Sequence, residues 1–337
     1  MKRLTRGRFA LALGALGLLL VMAMLVGLGI GPSGLAPARI IDGLIGAEDS
    51  GAAVDIVRRV RLPRVLLAML VGASLSVAGV IFQALLRNPL ADPFVLGVSG
   101  GAALGGILAL SLAGVGYAAV PPAAFAGAIV ATVLLYVIAG ARGRVSATNL
   151  LLTGVVFNSF ASAAIVFLAS AAGLADGARI FIWLIGNLSA GRLDVAPWVA
   201  GFLAVGLGCA LLLSRSLNLL ALGDEAAQQL GVAVERHKRV LLLATSLMVG
   251  AAVSVSGLIG FVGLIIPHLL RLVLGPDHRL LVPAAALGGA AFLVLCDALA
   301  RTLLDGRELP VGAITAIAGG PLFLVLLRRH HMRVFST

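Results

Sequence analysis

From Pro93 to Ala141 the chain runs for 49 residues without one Asp, Glu, Lys or Arg. A helix needs about 20 apolar residues to cross the hydrocarbon of a bilayer. This stretch alone therefore holds two crossings, with a turn between Tyr117 and Pro122. The remaining composition agrees: 61% of residues are apolar and 12% charged, against about 45–50% and 25% in soluble domains. Such values exclude a water-soluble enzyme. They equally exclude a disordered chain, which lacks apolar surface to bury. The sequence predicts an all-α, polytopic membrane protein.

Ten spans are predicted, over 9–31, 62–86, 93–113, 119–141, 148–171, 195–214, 238–256, 258–275, 280–301 and 309–327, within one transmembrane domain, 1–337. The first follows Lys2, Arg3, Arg6 and Arg8, as a signal peptide would, and Ala36-Pro37-Ala38 resembles a cleavage site. Its 23 uncharged residues, Phe9 to Gly31, exceed a signal core of about 7–15, so a retained helix is expected. The piece from Ile180 to Gly191 is too short to cross. Val240 to Leu270 is uncharged for 31 residues, but Ser254-Val255-Ser256-Gly257 breaks it and Pro267 interrupts its end. It reads as a full span followed by a shortened one.

An even number of spans puts both termini on one side. With that side cytoplasmic, 16 of the 25 basic residues fall inside and 9 outside, while acidic residues divide 5 inside and 9 outside. Lys and Arg in cytoplasmic loops set orientation, so the pattern supports both ends in the cytoplasm. It also accounts for the net charge of +11 without nucleic acid as a partner.

Carriers that run on ion gradients keep ionisable residues deep in their helices. Here Arg64, Asp297 and Arg301 are the charges furthest inside predicted spans, and all lie towards the outer side. The absence of a mid-membrane acid argues against an ion-coupled carrier or channel acting alone, although broken helices and repeats would suit one. A membrane-embedded enzyme is disfavoured too, since no HExxH, GxSxG or phosphate-binding loop is present. Cys209 and Cys296 stand alone in apolar surroundings and read as packed thiols, with no metal site expected.

Glycine supplies 43 residues, clustered at Gly97, Gly100, Gly101, Gly105 and Gly106 around Ser99, again from Ser254 through Ser256 and Gly257 to Gly263, and at Gly319-Gly320-Pro321. Any one of these is explained by close helix packing. Their density predicts kinked or interrupted helices around a pathway, and the first two clusters suggest a weak repeat of spans 2–5 and 7–10.

One polar stretch on the inner side is long enough to fold by itself, at 217–232. Asp224 and Glu225 suit the positive end of a helix, and Gly231 suits its stop. Ala226, Ala227 and Leu230 would then share one apolar face. Such an element is either a solvated connector or a plug for a partner's groove.

The run RLPRVLLAMLVGASLSVAGVIFQALLRNPLADPFVLGVSGGAAL, from Arg61 to Leu104, resembles the permease subunit of bacterial type II ABC importers for iron-siderophores, haem and vitamin B12. R-x-P-R, the Gln before R-N-P-L-A-x-P, and L-G-x-S-x-G-A form a long and specific pattern. Further matches are Leu150 to Gly154, Trp183 to Gly186, Leu222 to Ala227, Gly260 to His268 and Glu308 to Gly312, so that only residues before about 50 lack a distinctive one.

The resemblance implies a ten-helix permease in the bacterial inner membrane, paired with a second copy of itself around a central pathway. Two cytoplasmic ATPase subunits, carrying ATP and Mg, would bind below, and a periplasmic binding protein would deliver a bulky metal chelate from above. This chain itself would hold no cofactor. By the same resemblance, Asp224, Glu225, Ala226, Ala227, Leu230 and Gly231 match the coupling helix. Arg61, Arg64 and Arg301 match arginines that pair with glutamates of the binding protein, where the residues alone read as snorkelling anchors. Asn88, Leu90 and Thr148 match the cytoplasmic gate, with Ala147 standing where relatives may carry a hydroxyl. His268, after Pro267, could meet a haem iron, but a lone His beside a broken helix more often bonds a freed carbonyl. His330 and His331 sit in a basic tail.

Overall fold

The computed structural model describes residues 5–31, 51–94, 96–112, 117–140, 146–171, 174–189, 193–304 and 308–334. Ala36-Pro37-Ala38, with the rest of 32–50, lies outside them, as do the side chains of His330 and His331. The fold is all-helical, and its helices begin and end on local chemistry. Thr5 caps α1 (Arg6–Gly29) by accepting a hydrogen bond from the Arg8 amide at 3.3 Å. α2 (Gly51–Asp55) runs through a π turn at Ile56–Arg61 into α3 (Leu62–Leu85), with Pro63 in its first turn. A proline is tolerated there because its missing N–H has no helical partner to lose.

α4 (Val98–Ser111) starts at Gly97, whose φ of +83° is left-handed. It is followed by α5 (Val120–Ala139), α6 (Ala147–Ala171), α7 (Leu174–Leu184) and α8 (Ala196–Leu212). The short α9 (Ser214–Leu220) and α10 (Asp224–Gln229) lead to α11 (Val234–Ser256). α12 (Val262–Leu274) carries Pro267 inside it, α13 (His278–Ala300) is capped by Asp277, and α14 (Val311–Val334) closes the chain.

Seven of these helical stretches are long and apolar enough to cross a membrane: Arg6–Gly29, Ile56–Leu85, Val120–Ala139, Ala147–Ala171, Leu193–Leu212, Val234–Ser256 and His278–Ala300. Three shorter apolar helices, Val98–Ser111, Val262–Leu274 and Val311–Leu324, stand where the sequence placed its third, eighth and tenth spans. At about 1.5 Å per residue a 14-residue helix covers roughly 21 Å, short of the roughly 30 Å hydrocarbon. Among the described residues seven stretches thus meet the length criterion outright, α4 and α12 fall short of it, and α14 runs on as helix to Val334, long enough for a crossing at the tenth place. The third is shortened because the chain from 87 to 94, with Pro89, Asp92 and Pro93, is in turns and irregular backbone. At Gly319-Gly320-Pro321, expected to kink or interrupt a helix, α14 is continuous and carries Pro321 inside it.

α3 is the axis of the bundle, packed against α8, α11, α12 and α13. Two glycine pairs let the backbones approach. A Cβ on Gly72 would stand 2.3 Å from the Gly289 carbonyl oxygen of α13, and one on Gly79 would clash with the Gly263 carbonyl of α12. In lipid, where apolar surface gives no hydrophobic drive between helices, such close backbone packing is the main adhesive. α1 lies outside this core, its length set mainly against α13.

Candidate functional site

At the inner side, α10 is held rigidly to the bundle. Asp224 Oδ2 lies 2.5 Å from Lys238 Nζ on α11, and that ammonium is buried. The helix is entered through Gly223 at φ +124° and left through Gly231 at φ +84°, so Gly231 acts as the stop that its type suggested. Ala226, Ala227 and Leu230 do not share one outward face. Ala227 is fully buried against the chain and Ala226 is half-buried, whereas Leu230 is 62% exposed. Leu222, two residues before α10, is exposed as well. The face available to a partner is thus Leu222 and Leu230 flanking the exposed Glu225. Lys238 is the residue that sequence reasoning missed here; its place one turn into α11 is the only sequence signal of that role.

Beside α10 the chain turns sharply between α3 and α4. Arg87 adopts φ +49°, Asn88 Oδ1 accepts from the Leu90 amide at 2.9 Å, and the Asn88 carbonyl accepts from Ala91 N. Asn88 and Leu90, two of the expected gate residues, are therefore parts of one turn. Thr148 is exposed in the first turn of α6. Ser146 and Ala147, next to it, share a cavity of about 660 Å³ with Arg87, Asp224 and Arg239. Further along the same loop Asp92 accepts from the Phe94 amide at 2.8 Å, and burial pushes its carboxyl up to about 6. Desolvation outweighs that hydrogen bond because the charged form has lost water on all sides.

The second site is the outer end of α3 and α13. Arg61, Arg64 and Arg301 are all buried, and each guanidinium turns to partners within the chain. Arg64 Nε donates to Asp297 Oδ1 and its NH1 to Glu308 Oε2, both at 2.7 Å. Arg61 donates to the Leu28 and Gly29 carbonyls, at 2.6 and 3.0 Å. Arg301 donates to the Gly27 and Ile30 carbonyls, at 2.9 and 3.2 Å. Arg301 Nε also lies 3.0 Å from Asp297 Oδ2, but its N–H points to the Asp297 backbone carbonyl, so that pair is electrostatic and not a hydrogen bond.

The last turn of any helix leaves carbonyls without partners and a partial negative charge. Arg61 and Arg301 satisfy both for α1. The sequence showed the charges but not this use of them, because the carbonyls that they cap lie 32 or more residues away. Charged residues exposed on this rim, among the described residues, include Asp55, Arg58, Arg59 and the half-exposed Glu308.

Between the two ends, α4 and α6 line a cavity of about 710 Å³ with Gly100, Asn158, Ser159 and Ser162 on its wall. Asn158 Nδ2 donates to the Phe94 carbonyl, and its Oδ1 occupies the place that a Cβ on Gly100 would take. Gly100 therefore faces this cavity, while Gly101 packs against α5 and Ser99 is buried. Gly97 starts α4 and Gly257, at φ +66°, ends α11, so both are helix breaks. A Cβ on Gly257 would meet the Trp183 carbonyl at 2.1 Å, and the Ser256 carbonyl accepts from Asn187 N. The hydroxyl and amide row on α6 was missed in the sequence, where it reads as ordinary small polar residues in an apolar run.

A bundle of apolar helices with a glycine-lined central axis, a short helix exposed below and a hydroxyl-lined cavity between is the architecture of a transport subunit. The model of the FecCD transport family matches residues 19–329. The chain belongs to that family. A cobalamin import system permease protein of Halobacterium salinarum is 45% identical over 278 residues, covering 82% of this chain and 74% of its own. A hemin transport system permease protein of Yersinia pestis is 39% identical over 93% of this chain and 95% of its own. A vitamin B12 import system permease protein of Escherichia coli is 39% identical over 93% of each. Among solved structures, an inward-facing metal-chelate type ABC transporter superposes with a TM-score of 0.84, at 31% identity over 94% of this chain and 98% of that one. This FecCD chain is a permease subunit of an ABC importer.

Proposed function

We propose that this permease moves a bulky metal chelate (an iron-siderophore, haem or cobalamin) from the periplasm into the cytoplasm, across the bacterial inner membrane. Two copies would line the pathway, each crossing ten times with both termini inside, the three short apolar helices included. Two cytoplasmic ATPase subunits, with their ATP and Mg, would seat on α10. The observation that carries this reading is the setting of α10: an ion pair to buried Lys238 fixes the helix, while Leu230 and Leu222 are left in solvent. A connector has no need of an anchored helix with exposed leucines; a lever pushed by a partner does. The cavity walled by Gly100, Asn158 and Ser159 suits a ligand that slides, since it offers hydroxyls and small surfaces without a charged ligand set.

At the outer rim, the periplasmic binding protein would dock over Arg61, Arg64 and Arg301 by exchange: one of its carboxylates would replace half-exposed Glu308 on Arg64. The buried Asp297 would stay in place. The gate would lie at the Asn88–Leu90 turn and Thr148, with Gly97, Ser99, Gly100, Gly101, Ser256 and Gly257 along or beside the path.

The test is uptake into proteoliposomes that hold the permease, its ATPase and ATP, with binding protein and ligand outside. A protonophore should leave the initial rate unchanged, and omission of ATP should abolish it. Leu230→Asp should uncouple hydrolysis from uptake without loss of insertion. Uptake that survives without ATP and collapses with the protonophore would make this an ion-coupled carrier.

A further inference from the structure

A narrow cleft of about 140 Å³ opens between α3, α4, α5, α6 and α11. Its wall is almost wholly apolar: Phe82 from α3, Val98 from α4, Leu135 and Tyr136 from α5, Leu150 from α6 and Leu242 from α11. An apolar cavity of this size stays dry and takes an apolar guest. Of the two aliphatic hydroxyls on the wall, that of Thr132 donates to the Ala128 carbonyl, and that of Ser246 has no hydrogen-bond partner among the described residues. Water therefore has one buried hydroxyl to satisfy inside, too few for a stable site.

Depth and charge say what the guest is. The lining residues cluster towards one end of the bundle: the end of α3 and α5, the start of α4 and α6, and the first half of α11, with Leu96 in the turn before α4 and Ser246 just past the middle of α11. At about 1.5 Å per residue, Arg239 to Ser246 covers roughly 10 Å, the depth of the first stretch of an acyl chain under its headgroup. The mouth is formed by Val133, Val137 and Leu243, which are 52%, 70% and 53% exposed, as lipid-facing side chains are. At the cytoplasmic edge stands Arg239, exposed and with no ion pair among the described residues. It lines this dry cleft and the aqueous cavity beside α10 at once. A guanidinium where hydrocarbon meets water complements a phosphodiester.

We propose that the cleft holds one acyl chain of an inner-leaflet phospholipid whose anionic phosphate binds Arg239, next to the coupling helix. Apolar packing alone gives little selectivity in a bilayer, because acyl chains are as apolar as leucine. Every phospholipid offers Arg239 a phosphodiester. The preference for an anionic lipid therefore comes from the absence of a compensating choline ammonium beside that guanidinium, and one basic side chain at the surface sets it at roughly fivefold. This site rests on the membrane-embedded fold and needs no ATPase, so its failure is separate from that of the importer reading.

The experiment is native mass spectrometry of the full-length permease released from mild detergent, titrated with phosphatidylglycerol and with phosphatidylcholine of equal chain length. The expected result is a saturable phosphatidylglycerol adduct, preferred roughly fivefold. Arg239→Gln should abolish the preference, and Leu243→Trp or Val137→Trp, which fill the mouth, should remove the adduct. Arg215→Gln, another inner-face change outside the cleft, should leave it intact, and each variant should elute as the wild type does. Inorganic phosphate and glycerol phosphate are added in competition. If they displace the adduct while both Trp variants retain it, the site is a simple anion site and the lipid proposal falls. Equal adducts of the two lipids, unmoved by Arg239→Gln, overturn it as well.

Discussion

Removing the Asp297 carboxylate is the sharpest test of the outer clasp. Asp297 has no exposed surface, and its two oxygens lie 2.7 Å from Arg64 Nε and 3.0 Å from Arg301 Nε. Asp297→Ala would leave two buried guanidinium groups facing each other. Breaking a buried pair by removing one partner costs about 3–5 kcal/mol, most of it the penalty on the charge left behind. Here the lower end applies, about 3 kcal/mol. Arg64 retains Glu308 at 2.7 Å, and Arg301 retains the Gly27 and Ile30 carbonyls. In Arg64→Met/Asp297→Leu one of the two stranded guanidiniums is gone and apolar packing replaces that pair, a change that is often neutral, while Arg301 keeps only the Gly27 and Ile30 carbonyls.

The double variant should therefore be more stable than Asp297→Leu alone, with a coupling of about 2 kcal/mol in a double-mutant cycle. The assay is reversible unfolding of the full chain in mixed micelles, followed for the wild type, both single variants and the double variant. Hydrogen exchange supplies a second readout: amides at the end of α1, near Gly27 to Ile30, should open in Asp297→Ala, because Arg301 loses the carboxylate that fixes it. A coupling below about 0.5 kcal/mol, or unchanged exchange at α1, would refute the clasp.

Two further predictions concern the inner loop and the helix crossings. The folded Asp92 carboxyl stands near 6 against about 3.9 unfolded, so the folded state binds more protons between those values. Stability is then greatest below about pH 4, falls as pH rises to about 6, and stays lower by about 3 kcal/mol above it. Asp92→Asn keeps the acceptor for Phe94 N without the charge, so its melting temperature should exceed that of the wild type at pH 7.5 and converge with it on acidification; parallel pH curves would dismiss the effect. Gly79→Ala places a methyl against the Gly263 carbonyl and should cost about 1–3 kcal/mol or prevent assembly, whereas Gly201→Ala in α8, with nothing within 4 Å of its Cβ, should be neutral or stabilising in the same melt.

What the sequence made legible was the part written locally. Each expected span has a helix in its place, because an uncharged run of 20 residues dictates a helix whatever surrounds it. The stop at Gly231 and the breaks at Gly97 and Gly257 were legible for the same reason, since each is a backbone conformation that its own residue type permits. The length of α4 was not. It depends on how far the turns through Asn88 and Asp92 carry the chain before a helix can start. Nor was the inward turn of Ala227, which is set by the Asp224–Lys238 pair between two elements 14 residues apart. The arginines show the limit most clearly. Their types and positions near the outer surface were plain, yet whether such a group points to water, a partner or its own chain depends on carbonyls and carboxylates up to 274 residues away.

The two ends of the bundle handle charge in opposite ways, and the difference bears on how such a subunit can move. Outside, Arg61, Arg64 and Arg301 are closed onto Asp297, Glu308 and the end of α1, in a low-dielectric setting where separating them costs several kcal/mol. That joins α1, α3 and α13 at their outer ends, and the Gly72–Gly289 contact joins α3 and α13 along their length. Inside, Leu222, Leu230, Glu225 and Arg239 are left to solvent, and α10 touches the bundle mainly through Ala227 and the Lys238 pair. α10 adjoins α9 as well as α11; α9 packs on α3 and α13, and α11 packs on α5, α8 and α3. The α4–α6 cavity wall adjoins α11 through α4 and α5, on the side away from the clasped α1–α13 pair. If α10 is the coupling element, a displacement of it would have two routes: through α11 towards the α4–α6 wall, which leaves the outer ion pairs intact, and through α9 towards α3 and α13, which those pairs hold together.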